Sequence, residues 1–435
     1  MTVSSHSNVS QALINHYSRI GAVEAEAVLF DPRNGVTYTE LEGAILQQDL
    51  SAAKPRALYI KLPFCPVRCL HCDNDTFITH DPSRIDRYLD GLENEIALLT
   101  RTIGTKPYLQ QLHLGGGSPN YLSDTQLVRL MGMVDDHFAI DDDTQASLEA
   151  NPRTTSPSQL SLLYGLGFDQ IKFSLGDLDP AVQLAIGKSM SVDMVRDVFD
   201  TARDVGFTSI ATDILYGLPC QTSAGIRRSL DSILSLSPDR VACSAFSRRA
   251  ATRVHQSGID HCTMPSLADK MALFNAIVEG LSSDYEWIGL DSFAKTDDAL
   301  TVAQAENRLF KSYIGYSDKP TPDIHGVGTS AISDLEQICV QNHVDQAPWQ
   351  QAIAADELPV RGGIQLSQSH RAQRNALRAL ICNMELDDYA PLIDGDEQAE
   401  EMWGRFARDG LVAMTAGAMK VTNEGRYLLP QILAS

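Results

Sequence analysis

The chain has 435 residues, 43% of them hydrophobic, and a formal net charge of −21. This length and apolar content can supply two or three domains with sizeable cores. The acidity opposes binding to nucleic-acid phosphates or to an anionic membrane, and no run of about 18 apolar residues is present that could span a bilayer. The N-terminal residues are polar and carry no basic flank followed by an apolar run. We therefore expect a cytoplasmic protein whose partners are small molecules or other proteins.

From about residue 55, short β-type runs alternate with amphipathic helical stretches. The predicted strands are 57–62, 111–116, 146–150, 170–175, 209–216 and 240–246. The predicted helices between them include 84–100, 124–138, 193–205 and 224–236. A strand–helix unit repeated about six times indicates an α/β fold with a parallel sheet, which either closes as a barrel or stays open. Such a sheet carries its chemistry on the loops that follow the carboxyl ends of its strands.

The pattern changes after about residue 265. A long helix over 265–283 leads into a stretch with few clean periods, and residues 366–435 then predict helices, a short hairpin over 411–422 and a terminal helix. We interpret this last part as a small winged-helix-like domain that acts as a lid or support, because the net acidity argues against DNA binding. The sequence thus predicts an N-terminal extension over 1–54, an α/β domain over 55–335 and a helical C-terminal domain over 336–435.

Three of the eight cysteines, Cys65, Cys69 and Cys72, lie within eight residues, directly after the first predicted strand. Thiolates at these spacings can converge on one metal centre, and soft sulfur ligands select zinc, copper(I) or an iron–sulfur cluster. A [4Fe–4S] cluster usually takes four cysteines, so with three one iron would keep an open position for a substrate. The alternatives are a zinc knuckle completed by His71 or His80, or three unrelated core cysteines. We expect the remaining five to be buried thiols: Cys220, Cys243, Cys262, Cys339 and Cys382.

Three further features follow or lie within later strands of the predicted sheet. A tri-glycine turn, Gly115 to Gly117, follows the second strand, and consecutive glycines let backbone N–H groups approach a ligand closely. Glu149 ends the third strand. Asp213 lies in the fifth strand among apolar neighbours, where an acid is costly unless it is paired or bound. The glycines could equally form a tight strand exit, and Glu149 could cap a helix or bind an ammonium or ribose hydroxyl group.

These features, in this order, resemble the radical S-adenosylmethionine superfamily. The three cysteines match its CxxxCxxC signature, and Gly115 to Gly117 match its methionine-binding glycines. Within the superfamily, the chain is similar to the oxygen-independent coproporphyrinogen III oxidase family over roughly residues 55 to 425. The matching runs are YIKLPFC, LHLGGGSPNYL, LEANPR, IATDILYGLPCQT, IGLDSFAKTDDALTVAQ, GVGTSAIS and RALICNMEL.

The resemblance implies an incomplete (β/α)6 barrel and a [4Fe–4S] cluster held by the three cysteines. The open iron would bind the amino and carboxylate groups of S-adenosylmethionine, and an electron donor such as flavodoxin or ferredoxin would supply the electron that splits it. The residues implied to contact this molecule are Tyr59, Gly116, Glu149 and Ile332. Family members can hold a second S-adenosylmethionine, for which the matching positions are His71, Gly117, Ser118, Asp213 and Ser247.

The chain departs from the decarboxylating members of the family at several positions. A cysteine expected two residues beyond the third cluster ligand is Asn74, and a histidine expected before the Pro-Phe-Cys run is Lys61. Lys188 stands where an arginine is expected, and a lysine lacks the bidentate geometry of an arginine. A glutamine expected near the fourth strand is missing from IKFSLGDLDP, and the tyrosine-rich N-terminal segment of those members has no counterpart. The cluster residues are kept, whereas the substrate-binding residues have changed.

Three functions follow from the resemblance. The substitutions at Asn74 and Lys61 favour the family's C-methyltransferase branch, which implies methyl transfer to an aromatic or quinone ring, such as menaquinone, with two S-adenosylmethionine molecules. The alternative is a coproporphyrinogen III dehydrogenase of haem biosynthesis, which removes two propionate carboxyl groups; the length and the C-terminal similarity favour it. The third is a relative that binds haem as a chaperone. We place the methyltransferase first.

Overall fold

The computed structural model describes residue 13 and residues 37–46, 54–104, 106–393 and 395–433. Most of the extension predicted over 1–54 lies outside these residues. The division of the chain at residues 54 and 335 stays a prediction.

The described strands form one large sheet and three small ones. In chain order they are β1 Arg56–Leu62, β2 Phe64–Cys65, β3 Phe77–Ile78, β4 Leu109–Gly116, β5 Gln145–Ala150, β6 Gln170–Gly176, β7 Ser209–Tyr216, β8 Arg240–Ala245, β9 Tyr285–Ile288, β10 Ser292–Lys295, β11 Phe310–Lys311, β12 Tyr316–Ser317, β13 Asp323–Val327, β14 Ile332–Asp334, β15 Ile338–Asn342, β16 Val360–Gln365, β17 Glu385–Leu386, β18 Val412–Met414 and β19 Met419–Val421.

The large sheet has the strand order β16-β15-β14-β13-β1-β4-β5-β6-β7-β8-β10-β9 in the described part of the chain. Strands β13, β1 and β4 to β8 pair in parallel, and antiparallel strands extend the sheet at both edges. The six predicted strands correspond to β1 and β4 to β8, so the predicted parallel sheet is confirmed. The two outermost strands do not pair with each other, which makes the barrel incomplete, as expected.

The stretch that lacked clean periods contributes more to the sheet than its sequence indicates. Strands β9, β10, β13 and β14 all come from it, and β13 pairs in parallel with β1. These strands have five residues or fewer, too few to show an alternating pattern. Beyond residue 335, β15 and β16 continue the same sheet.

Helices connect the parallel strands and cover the convex face of the sheet. In chain order they are α1 Tyr38–Leu46, α2 Pro82–Ile103, α3 Asp124–His137, α4 Pro157–Gly165, α5 Pro180–Ile186, α6 Val192–Val205, α7 Ser223–Ser235, α8 Leu267–Leu281, α9 Ala299–Ala305, α10 Gln346–Ala354, α11 Gln368–Asn383, α12 Ala390–Ile393, α13 Glu397–Arg408 and α14 Asn423–Ile432. The helices predicted over 84–100, 124–138, 193–205, 224–236 and 265–283 are confirmed as α2, α3, α6, α7 and α8.

The C-terminal part consists of helices α11 to α14 and the antiparallel sheet β17-β19-β18, in line with the predicted helices and hairpin. A buried ion-pair group joins it to the large sheet. Asp334 of β14 lies 2.6 Å from the Arg374 guanidinium and 2.7 Å from that of Arg378, both on α11. The role of this part as a lid or support stays a prediction.

The scattered cysteines follow the expectation only in part. Cys243, Cys339 and Cys382 are buried, whereas Cys220 and Cys262 are exposed. Cys220 lies in a turn and Cys262 in the short 3-10 helix His261–Thr263, both at the surface, so the prediction of five buried thiols is wrong for them.

Helix α2 contains a buried carboxylate, Glu95, that is 1% exposed. It accepts hydrogen bonds from the Gly328 amide at 2.8 Å, from Trp349 Nε1 at 2.9 Å and from Asn342 Nδ2 at 2.6 Å. Burial raises the pKa of Glu95 to about 7, although the three hydrogen bonds act in the opposite direction. Glu95 thereby ties α2 to the loop that follows β13.

Tyr88, two turns earlier on α2, connects that loop to the end of β1. Its hydroxyl donates to the Lys61 carbonyl oxygen at 2.8 Å and accepts from the Thr329 amide at 2.9 Å. The Tyr88 ring also stacks on Trp349, with the ring centroids 4.9 Å apart. Helix α2 therefore fixes the position of the carboxyl end of β1.

We predict that Glu95→Gln lowers the free energy of unfolding by about 1–3 kcal/mol. The glutamine side chain has only one oxygen, so one of the three buried donors would face its NH2 group and lose its acceptor. The pKa of Glu95 is higher in the folded chain than its ordinary value of 4.5, so proton uptake favours folding. The stabilisation of the folded chain by this proton is complete below the ordinary pKa of the carboxyl group. It is lost as the pH rises through about 7. Anaerobic urea unfolding at several pH values should show the wild type losing stability relative to the variant over this range.

The matched control is Glu93→Gln, because Glu93 lies on the same helix but pairs with Arg129 at the surface. It should leave the pH dependence unchanged. A difference between wild type and Glu95→Gln that is equal at all pH values would contradict the raised pKa.

Candidate active site

The loop that carries the three cysteines begins immediately after β1. It is held to the glycine turn after β4 by two backbone hydrogen bonds, from the Gly117 amide to the Leu62 carbonyl at 3.0 Å and from the Ser118 amide to the Phe64 carbonyl at 2.9 Å. A Cβ atom on Gly117 would lie only 2.7–2.8 Å from backbone atoms of Leu62 and Phe64. Glycine is required here because the two backbones approach so closely.

The thiols of Cys65, Cys69 and Cys72 are half-buried and line one cavity of about 250 Å³. Ser118 Oγ lies 3.4 Å from Cys65 Sγ, and an Arg153 guanidinium nitrogen lies 3.6 Å from Cys69 Sγ. Burial raises the pKa of Cys65 and raises that of Cys72 to about 11, so both thiols are protonated until a metal displaces their protons. Three sulfur ligands with polar donors beside them fit an iron–sulfur cluster.

The two histidines weighed as zinc ligands lie in different places. His80 is exposed and lies outside the cavity, whereas His71 lines it.

The same cavity contains the five residues at the positions matching a second S-adenosylmethionine site, and also Lys188, which stands in place of the expected arginine. The five are His71, Gly117, Ser118, Asp213 and Ser247. Lys188 Nζ donates to the Ser174 carbonyl at 2.7 Å. Burial lowers the pKa of His71 to about 3, so its ring is neutral, and its Nδ1 is buried without a hydrogen-bond partner among the described residues.

Asp213 also stabilises the strand next to its own. Its Oδ1 atom accepts hydrogen bonds from the amides of Leu175 and Gly176, each at 2.7 Å, at the end of β6. The carboxylate therefore has a structural contact in addition to its place in the cavity wall.

A second cavity of about 420 Å³ lies in the lumen of the curved sheet and shares Asn74 and Ser244 with the first. It contains three of the four residues implied to contact the first S-adenosylmethionine: Tyr59, Gly116 and Glu149. The fourth, Ile332, is buried in β14 and is not among the described residues that line either cavity. The binding roles of all these residues stay predictions.

Three cations line this lumen in a strongly acidic chain: Lys172, Arg240 and Lys311. Lys172 Nζ lies 3.6 Å from a Glu149 oxygen, and Arg240 Nε donates to both oxygens of Asp298, at 3.1 and 2.9 Å. Two acids, Glu149 and Asp291, line the same lumen, so the lining has one more cation than it has acids, beside aromatic walls. This combination is compatible with a ring compound that carries carboxylates.

Sequence reasoning missed several residues around the cysteine loop. Arg153 was present in the run LEANPR, and its place at the end of β5 could have indicated a role in the site. Segment 248–258 covers the loop from the other side: His255 Nε2 lies 2.7 Å from the Cys72 carbonyl oxygen, and Arg253 pairs with Asp73 and Asp75. Nothing in the spacing of this segment indicated that contact.

The comparisons with known proteins agree with this geometry. The family model described as the radical SAM superfamily matches residues 59–233, a range that includes the cysteine loop, the glycine turn, Glu149 and Asp213. The fold and the site are therefore those of a radical S-adenosylmethionine enzyme, a class that uses a [4Fe–4S] cluster and S-adenosylmethionine.

Individual relatives identify the family within this class. The chain is 32% identical to the oxygen-independent coproporphyrinogen III oxidase of Pseudomonas aeruginosa, over 89% of this chain and 86% of that protein. It is 31% identical to the enzyme of the same name from Escherichia coli, over 87% and 84% of the two chains. The solved structure of the Escherichia coli enzyme superposes with a TM-score of 0.89 at 29% identity, covering 98% of this chain and 97% of the other. This chain belongs to the oxygen-independent coproporphyrinogen III oxidase family.

Two other expectations can be compared with these findings. The relatives bear the name of the oxidase, so the comparisons favour the function that sequence analysis placed second over methyl transfer. No described helix is long and apolar enough to cross a membrane.

We predict that Asp213→Asn and Asp213→Ala have different effects. The asparagine keeps a carbonyl oxygen for the two amides of β6 but loses the charge, so folding and iron content should stay near wild type while one S-adenosylmethionine binds about tenfold more weakly or worse. The alanine leaves two buried amides unpaired and should cost about 1–3 kcal/mol of stability. Equilibrium dialysis with labelled S-adenosylmethionine and thermal unfolding measure the two effects. If Asp213→Asn binds S-adenosylmethionine with the stoichiometry and affinity of the wild type, the predicted binding role is wrong and Asp213 has a structural role only.

Proposed function

We propose that this protein is an oxygen-independent porphyrinogen oxidase, which converts propionate side chains of a tetrapyrrole to vinyl groups. The observation that carries the proposal is the likeness, over nearly the whole chain, to oxidases of coproporphyrinogen III. The lumen is compatible with the same class of substrate, because three cations, Lys172, Arg240 and Lys311, line it against two acids, Glu149 and Asp291, inside a chain of net charge −21. A tetrapyrrole with several carboxylates is complementary to such a surface.

When bound, the cluster and S-adenosylmethionine supply a radical that takes one hydrogen atom from a propionate. The propionate then loses carbon dioxide and passes one electron to a one-electron acceptor, and a vinyl group remains. The residues of the chain have three tasks in this proposal. The cysteines hold the cluster, while Ser118 and Arg153 lie beside two of its sulfur ligands. Glu149, anchored between the Gly116 amide at 3.4 Å and Lys172, orients the cofactor. The lumen wall excludes water from the radical.

Methyl transfer remains a second candidate because of specific residues. Asn74 lies in the wall shared by the two cavities, where the decarboxylating relatives are expected to carry a cysteine. Asp213, Gly117 and Ser118 line the cluster cavity and are available for a second S-adenosylmethionine. In this case one molecule would supply the radical and the other the methyl-derived carbon.

Anaerobic incubation of the reconstituted protein with coproporphyrinogen III, S-adenosylmethionine and a reductant distinguishes the two functions by mass spectrometry. We expect the loss of one carbon dioxide and two hydrogen atoms from each propionate that reacts, with methionine and 5′-deoxyadenosine as coproducts. Addition of a methyl group together with S-adenosylhomocysteine would contradict the oxidase and support the methyltransferase. Neither product, with haem retained by the purified protein, would favour a chaperone.

Two cysteine variants control for the source of the activity. Cys72→Ser should abolish product formation and lower the iron content, since its thiol lines the cluster cavity. Cys262→Ser should change neither, because Cys262 is exposed and is not among the described residues that line that cavity.

A further inference from the structure

Lys61 is a buried lysine on β1, with 6% of its surface exposed. Alternate side chains of a strand point to the same face, and Tyr59, two residues earlier, lines the lumen. Lys61 therefore points to the lumen side of the sheet as well. Its aliphatic part lies across Gly116, where an added Cβ would be 2.6 Å from Lys61 Cγ. Lys61 is not among the described residues that line either cavity, but its charge interacts with those of Asp75 and Cys72 on the cysteine loop and of Glu149 in the lumen wall, so the ammonium lies between the two.

The Lys61 ammonium forms no hydrogen bond to a described residue and no ion pair within 4 Å of one. The acids that attract it at longer range have other partners: Asp75 pairs with Arg253, and Glu149 lies beside Lys172. Burial lowers the pKa of Lys61 more than these acids raise it. Lys61 Nζ is not among the fully buried atoms that lack a partner in the described residues, so the atom still reaches accessible space, while the partial loss of its hydration destabilises the folded chain.

Other lysines in the barrel are bonded. Lys188 Nζ donates to the Ser174 carbonyl and Lys270 Nζ to the Phe246 carbonyl, both at 2.7 Å. The isolation of Lys61 is therefore particular to this position. A lysine that stays unpaired beside a cofactor cavity, although this lowers the stability of the chain, indicates that a bound ligand supplies its partner.

We propose that Lys61 binds a carboxylate of a molecule in the lumen. Two sources have this chemistry: a propionate of the tetrapyrrole, which rests on the proposed function, and the methionine carboxylate of S-adenosylmethionine. Lys61 replaces a histidine expected in the decarboxylating relatives, so this contact would also alter how the chain selects or orients its ligand.

The test compares Lys61→Met with wild type in anaerobically reconstituted protein. Methionine keeps the unbranched apolar stem against Gly116 and removes the charge, so the melting temperature should stay equal or rise. Two probes are used: coproporphyrin III, whose binding is measured by fluorescence, and S-adenosylmethionine, whose binding is measured by dialysis. The affinity for one of them should fall about tenfold or more in Lys61→Met. The coproporphyrin tetramethyl ester and decarboxylated S-adenosylmethionine identify the source, because the probe without its carboxylate should bind both proteins alike.

Lys270→Met is the matched control. It removes a bonded lysine outside the lumen, so it should lower the melting temperature and leave the affinity for both probes unchanged. Unchanged affinity of Lys61→Met for both probes would overturn the proposal. So would a lower melting temperature in Lys61→Met and in Lys61→Gln alike, since that would give the lysine a structural role. These outcomes do not depend on whether the product assay shows decarboxylation or methylation.

Discussion

The carboxyl end of strand β1 is fixed on three sides, and the active site depends on this constraint. Parallel pairing with β13 and β4 sets its register, and the Tyr88 hydroxyl of α2 bonds to the carbonyl of Lys61. The first cluster cysteine, Cys65, comes only four residues after Lys61. A slip of one residue in β1 would move Tyr59 and Lys61 out of the lumen and displace the loop, because side chains alternate between the two faces of a strand.

The distribution of charge separates the surface of the molecule from its interior. The chain carries a net charge of −21, yet cations line the lumen and Arg153 lies beside a cluster cysteine. The lining of the lumen, with three cations against Glu149 and Asp291, is therefore less acidic than the chain as a whole, which favours anionic ligands there. Lys61 extends the same positive region towards the cluster, and its lack of a partner suggests that the site is complete only when a ligand is bound.

Much of the fold could be predicted from the sequence because its signals are local. Buried parallel strands appear as short apolar runs, and the covering helices show a period of 3.6 residues, so β1, β4 to β8 and their helices could be located. The edge strands could not, because they are short and their partners are distant in sequence. The pairing of β13 with β1, for example, joins residues separated by more than half of the chain.

The candidate active site, too, could be predicted from the sequence only where its signals are local. The spacing of Cys65, Cys69 and Cys72 was sufficient to predict a metal centre, since all three lie in one loop. The bond between Arg153 and Cys69, and the contact of His255 with the loop, depend on how strands from distant parts of the chain end at the same edge of the sheet. The isolation of Lys61 is a property of its surroundings in three dimensions, which no sequence pattern records.

Electron paramagnetic resonance of the reduced, anaerobically reconstituted protein tests most directly whether the three cysteines hold a cluster with one iron open to S-adenosylmethionine. We predict the signal of a reduced [4Fe–4S] cluster, a change in its g values when S-adenosylmethionine is added, and no signal in Cys65→Ala. Stoichiometric zinc with negligible iron, or a cluster signal that S-adenosylmethionine leaves unchanged, would contradict this account.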